Sequence, residues 1–215
     1  DAVEQWGDRE AIVVRHQGIR WTYRQLGEAI DAFAAGLLAL DLKAGERVGI
    51  WSPNNIEWVI AQFATARAGL ILVNINPAYR KAELIYTLNK VACKALILAR
   101  EFKSSNYVGI LRDIAPAIKT STAGQLNLNA LPALRSLIVI SDEPVAGMFR
   151  FADIKAMAPA DAAAQLAERA RLNQPDDAIN IQFTSGTTGL PKGATLTHFN
   201  VLNNGFFVGE AMQLT

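Results

Sequence analysis

Short apolar runs alternate along this chain with apolar residues at helical spacing, and a turn signal separates each from the next. The segments AIVVR and IRWTY flank HQG, which predicts a β-hairpin turning at Gly18, a residue that takes left-handed backbone angles at little cost. Thr22 and Gln25 have capping-box spacing, and Tyr23, Leu26, Ile30, Phe33, Leu37 and Leu38 then predict a helix with one buried face. Gly45 leads into the strand RVGIW. SPNN supplies turn and cap residues, and Ile56, Val59, Ile60 and Phe63 predict a second helix closed by Gly69. LILVNI reads as a strand, NPAYRKAELIYTLNKV as a loop and helix, and KALILA as the following strand. This β, α, β, α, β rhythm predicts an α/β fold, a parallel-rich β-sheet with flanking helices.

Order weakens in the middle of the chain. YVGILRDIAPAI predicts a helix stopped by Pro116, and KTSTAGQLNLNA, polar and rich in turn residues, reads as a surface connection. SLIVIS restores a strand, and between 143 and 175 an alanine-rich helix, DAAAQLAERARL, lies between proline-bearing segments. A subdomain joint is expected near NQPDD, dividing residues 1–174, a first α/β subdomain, from residues 175–215, which open the next one with the strand AINIQF.

Composition narrows the field of partners. The chain has 215 residues, 51% of them hydrophobic and 19% charged, with a net charge of +1, which excludes disordered and fibrous classes. Lys and Arg are not clustered, so no nucleic-acid partner is expected. Gln62 and Arg67 interrupt the longest apolar stretch, short of the ~18 residues a bilayer span requires, so no integral membrane segment is expected either. No signal peptide is visible, and the opening at Asp1 without a methionine predicts that a start has been removed. Cys93 is the only cysteine; its apolar surroundings predict a buried thiol in a reducing, cytoplasmic setting.

The densest chemistry lies in FTSGTTGLPKG. Thr184, Ser185, Gly186, Thr187, Thr188 and Gly189 are six consecutive small residues, and Lys192 follows three positions later. Gly186 and Gly189 let successive N–H groups point into one concavity, the hydroxyls add donors, and Lys192 adds a mobile cation. A polyphosphate uses all of these. The spacing is neither that of the Walker loop nor that of the dinucleotide fingerprint. A plain Ser/Thr/Gly tether has a similar composition. Against a tether, the loop is only about nine residues long and sits between the core-like runs INIQF and ATL.

Other conspicuous residues have structural readings. His198, between ATLT and a helix, is expected to cap or pack, and His16 to lie exposed at the hairpin turn. The two histidines and single cysteine are far apart and assemble no zinc site, so neither a metal site nor a catalytic residue is assigned. Trp6, Trp21, Trp51 and Trp58 are expected in or beside the core. Asp176, Asp177, Arg80, Lys81 and Glu83 are expected to be solvated.

IQFTSGTTGLPKGATLTH resembles the phosphate-loop signature of the adenylate-forming superfamily of acyl-CoA synthetases, luciferases and peptide-synthetase adenylation domains. WTYRQL and ATARAGLILVNINPAY resemble earlier family elements in the same order. LVNINPAYRKAELIYTLNKVACKALIL and FKSSNYVGILRDIAP look like the medium- and long-chain fatty-acyl-CoA ligases in particular. The resemblance covers the chain from Trp6 onward.

That resemblance implies two chemical steps. A fatty carboxylate attacks the α-phosphorus of ATP, accompanied by Mg2+, to give an acyl-adenylate and pyrophosphate; the coenzyme A thiol then displaces AMP. In this scheme residues 184–192 hold the β- and γ-phosphates. The family's YGxTE and TGD elements and its C-terminal catalytic lysine do not occur here, so the chain is expected to be an N-terminal fragment, inactive alone. Two alternatives stay open: a non-catalytic nucleotide-binding module, and a ligase for an aromatic or amino acid. Uncovered apolar sheet edges also make a homo-oligomer an expected hazard.

Overall fold

A computed structural model describes residues 2–184 and 190–213. A short helix, α1 (Ala2–Trp6), precedes β1 (Glu10–Val14) and β2 (Ile19–Thr22), which pair antiparallel as the expected hairpin. Gly18 turns it at a φ of 67°. The reciprocal bonds of a capping box then start α2 (Tyr23–Leu38): Gln25 N–H donates to Thr22 Oγ1 at 3.3 Å, and Thr22 N–H donates to Gln25 Oε1 at 2.9 Å. β3 (Arg47–Trp51), α3 (Ile56–Arg67), β4 (Ile71–Asn74), α4 (Lys81–Lys90) and β5 (Ala95–Ala99) follow in the expected order. A minimal hairpin of β6 (Glu101–Phe102) and β7 (Ser105–Asn106) leads into α5 (Tyr107–Ile114), capped by Asn106. The chain continues through β8 (Ser136–Ile140), β9 (Phe149–Arg150), α6 (Ala162–Leu172), β10 (Ala178–Thr184), β11 (Lys192–Thr197) and α7 (His198–Ala211).

Seven strands form one sheet in the order β11-β10-β4-β3-β5-β8-β9. Every pairing in it is parallel except that of β10 with β11. The strands are apolar at successive positions because both faces are covered. Leu72, Val48, Ile50, Ala95, Ile97 and Ile138 pack toward α2 and α3, while Val73, Leu96, Leu98, Leu137 and Val139 pack toward α4 and α5. Each fully buried Leu or Ile contributes about 1.5–3 kcal/mol of transfer free energy. Gly49 stands where a Cβ would lie 2.9 Å from Leu96 Cδ1, so the layer above the middle of the sheet needs the missing side chain.

Three features depart from the sequence-based expectations. The stretch 119–130 is more than a surface connection, because Leu126 and Leu128, together with Leu131 and Leu134 just beyond it, are buried in the α4–α5 core. Their irregular spacing follows turns, such as Leu131 N–H to Leu128 O, and matches neither the strand nor the helix period. Between Phe149 and Met157 the chain forms β9 and a 3-10 helix whose Ile154 carbonyl fits against Gly36. Trp6 is 43% exposed, with Tyr23 as its aromatic neighbour, instead of lying in the core.

Near 173–177 the chain makes a turn, with Asp177 N–H bonded to Gln174 O. β10 then enters the same sheet beside β4, so the strand after the turn extends the existing layer. Arg169 fastens this region to the first half of the chain by donating to Ala68 O and Leu42 O, both at 2.7 Å. Its desolvation lowers the pKa of the guanidinium. Arg169→Met, which keeps the apolar stem but strands both carbonyls, is expected to cost about 1–3 kcal/mol in urea unfolding; an unchanged midpoint and slope would contradict the latch. Burial pushes the Cys93 thiol up to about 12. A thiol reagent at pH 8 is therefore expected to leave the native chain unmodified and to label Cys93 once urea unfolds it.

Candidate functional site

The parallel strands define where the phosphate-loop candidate lies. β10 runs in the same direction as β4, β3, β5 and β8, so Thr184 leaves the sheet at the carboxyl edge, together with Asn74, Trp51, Ala99 and Ile140. Open α/β sheets hold ligands at this edge. Thr184 and Lys192 face each other across the β10–β11 ladder, and the Thr184 hydroxyl donates to the Lys192 carbonyl at 3.4 Å. The structure therefore brings the two ends of the candidate loop together as the mouth of a hairpin, with Lys192 exposed. Ser185, Gly186, Thr187, Thr188 and Gly189 lie outside the described residues.

The connection after β4 is fixed at the same edge by contacts absent from the sequence-based expectations. Trp51 stacks on Tyr107 with ring centroids 3.9 Å apart, and Trp51 Nε1–H donates to Asn76 O at 3.2 Å. The Tyr107 hydroxyl donates to Pro77 O at 2.8 Å, and Asn76 Oδ1 accepts the Ala78 N–H at 2.9 Å. Arg80, expected to be merely solvated, reaches Ser105 Oγ at 2.9 Å. Nothing in the local pattern around Tyr107 pairs it with Trp51; the stack forms because β3 and the start of α5 meet across the α4–α5 layer.

Amide side chains occupy the other face of β4 and β10. Asn180 is buried and donates Nδ2–H to Gln62 Oε1 at 3.2 Å, while Asn180 Oδ1 and Asn74 Oδ1 are buried acceptors without a donor among the described residues. Gln182, paired with Asn74, shares that face by strand alternation. Sequence reasoning passed over these amides because INIQF is apolar enough to read simply as core.

Two broad clefts lie elsewhere. One, about 620 Å³, is lined by Trp21, Phe33, Ile56, Glu57, Phe151 and Lys155 among others; the second, about 610 Å³, includes Arg24, Asp31, Phe63, Arg67 and His198. Neither includes Thr184 or Lys192. Among the described residues no group of three or more His, Cys, Asp or Glu side chains could hold a metal ion, and no helix is long and apolar enough to cross a membrane.

His198 is the first residue of α7, and the cap itself is Thr197, whose hydroxyl accepts the Asn200 N–H at 3.2 Å. His198 N–H donates to Asp177 O at 3.2 Å. Burial lowers the imidazole pKa, and the Asp177 charge partly opposes this. Asp177 is itself engaged, accepting the Gln174 N–H at 2.7 Å.

With this geometry in place, comparisons with known proteins give a consistent result. The AMP-binding enzyme family profile matches residues 1–214. The mouse protein named medium-chain acyl-CoA ligase ACSF2, mitochondrial, is 43% identical over 98% of this chain and 34% of its own length. The chain thus spans about a third of the length of such relatives. Among solved structures, apo MbtA of Mycobacterium smegmatis covers 100% of this chain at 26% identity and a TM-score of 0.76, with 35% of that protein matched. The anthranilate CoA ligase AuaEII covers 92% at 23% identity and a TM-score of 0.73, with 33% matched. The latter likeness is one of fold.

The lowered His198 pKa carries a sign. Its neutral form is favoured in the folded chain, so the stability it contributes is complete above the unfolded value of 6.5 and is lost as pH falls through the folded value. His198→Gln is expected to flatten that part of the melting temperature profile between neutrality and mild acid; an identical slope in both proteins would remove His198 as its source.

Proposed function

We propose, because the chain belongs to the AMP-binding enzyme family, that it contributes the triphosphate-binding part of an ATP-dependent acyl-CoA ligase that activates a fatty carboxylate. The observation that carries this reading is the register of β10 and β11. It makes Thr184 and Lys192, the residues that bracket the Ser/Thr/Gly-rich sequence, neighbours at the carboxyl edge of the sheet. A Ser/Thr/Gly-rich sequence anchored at both ends in this way would offer amide and hydroxyl donors to the β- and γ-phosphates of ATP, with the Lys192 ammonium following the charge that gathers on pyrophosphate as it leaves. No covalent bond to the protein is needed. Mg2+ arrives with ATP and neutralises the phosphate oxygens, and coenzyme A receives the acyl group in the second step.

An aliphatic acid is favoured over an aromatic one by the relative at 43% identity, whose name specifies medium-chain acyl groups, whereas the anthranilate ligase shares the fold at 23%. The acyl group would be held largely by polypeptide of the kind that makes the relatives about three times as long.

The test is ATP/pyrophosphate exchange with octanoate, palmitate and anthranilate, using the longest natural polypeptide that contains these residues. Octanoate or palmitate is expected to support exchange, and Lys192→Ala to reduce it ~10²- to 10³-fold, the loss typical of removing one electrostatic donor from a reacting oxyanion. The melting temperature should stay unchanged, because Lys192 is exposed. Undiminished exchange in the variant would sink the role of Lys192, and exchange with anthranilate alone would sink the fatty-acid assignment.

A further inference from the structure

Phe183 is the last apolar residue of β10, and it stands between the platform built around Trp51 and Tyr107 and the strand that carries Lys192. On the platform side it packs, half-buried, against the apolar cluster that contains Trp51, Ile75, Tyr107 and Ile181. On the other side it is paired with Gly193, the residue after Lys192. A Cβ at Gly193 would lie 3.2 Å from Ile181 Cγ2 and 3.4 Å from Phe183 Cζ, so the tip of the ring approaches the β11 backbone where a side chain would otherwise stand.

Glycine inside a strand weakens it and marks a place where another group comes close. An aromatic ring laid against a glycine of an edge strand covers that strand and pins its register, and β11 is the edge strand in the order of this sheet. By strand alternation Phe183 and Gly193 belong to the α4–α5 face, while Thr184 and Lys192 belong to the opposite one. The ring therefore braces the backbone from which the Lys192 side chain extends. What it rests on is itself held: Trp51 Nε1–H donates to Asn76 O and the Tyr107 hydroxyl to Pro77 O, which fixes the connection after β4, the strand beside β10.

We propose that Phe183 is a positioning residue for Lys192: wedged between the Trp51–Tyr107 platform and Gly193, it sets where the lysine backbone stands relative to the reacting phosphates. This inference deepens the triphosphate-binding reading and rests on it. An ammonium on a flexible stem can meet a phosphate from many starting points, but it stabilises the charge gathering in the transition state best from a fixed one. A displacement of about 1 Å there can cost ~10²-fold in rate. Phe183 donates and accepts no proton and acts only through Lys192.

The experiment is ATP/pyrophosphate exchange with octanoate or palmitate over a range of ATP concentrations, in the longest natural polypeptide that contains these residues. Wild type, Phe183→Leu, Gly193→Ala, Lys192→Ala and the two double variants with Lys192→Ala are compared per folded molecule. Phe183→Leu is expected to lower kcat about tenfold or more with KM for ATP nearly unchanged, as for an interaction made only in the transition state. Gly193→Ala approaches the same contact from β11 without removing core volume, and its methyl group should displace the ring and lower kcat in the same way. In the Lys192→Ala background neither change should cost anything further, because residues that act as a unit are not additive. A merely structural role would lower the melting temperature and leave the losses multiplying. If Phe183→Leu does not fold, Gly193→Ala decides alone. Unchanged kcat in either folded variant, or losses that multiply in the double variants, would overturn the positioning role, while the effect of Lys192→Ala by itself would leave the triphosphate reading standing. A wild type without exchange, or undiminished exchange in Lys192→Ala, would remove both.

Discussion

The parallel pairing of β10 with β4 is the constraint on which the site depends. Asn180, Ile181 and Gln182 register with Leu72, Val73 and Asn74, and through them a segment more than a hundred residues later in the chain joins a sheet already ordered by β3, β4, β5 and β8. That pairing gives β10 its direction. The direction in turn puts Thr184, the last residue of β10, and its partner Lys192 at the carboxyl edge, where the ends of the other parallel strands meet.

Around that pairing the molecule spends its polar side chains on holding backbone in place. Arg169 satisfies the carbonyls of Ala68 and Leu42, Trp51 and Tyr107 satisfy those of Asn76 and Pro77, and Asn89 that of Ala130. Each of these joins segments far apart in sequence. Exposed ion pairs such as Arg100 with Glu143 are solvent-screened and contribute little by comparison. The result is a rigid platform on the α4–α5 side and, on the α3 side near β10, buried amide acceptors whose donors the described chain does not supply. The platform and the hairpin mouth share one edge of one sheet, so substrate-facing chemistry there would act from a fixed frame.

Local patterns were informative where a single period governs burial. The Thr22–Gln25 capping box, the Asn55 cap of α3, the Gly18 turn and the strands RVGIW, LILVN and ALILA were all readable, because in each the near neighbours decide the conformation. The leucines at 126, 128, 131 and 134 were not, since turns and not a repeating element set their directions. Trp6 misled for the opposite reason: a large apolar residue near a helix suggests burial, yet α1 is too short and peripheral to be covered.

The sequence by itself determined the fold class, the succession of most helices and strands, and the composition of a turn suited to a polyphosphate. These follow from periodicity and residue chemistry, which act over a few positions. Only the tertiary structure decided that β10 lies beside β4, that Thr184 and Lys192 stand opposite each other across the antiparallel β10–β11 pair, and that Trp51 meets Tyr107. The pairing of β10 with β4 and the Trp51–Tyr107 stack join residues dozens to a hundred positions apart, and they are selected by how two helix layers bury both faces of one sheet, a global condition that no local window contains.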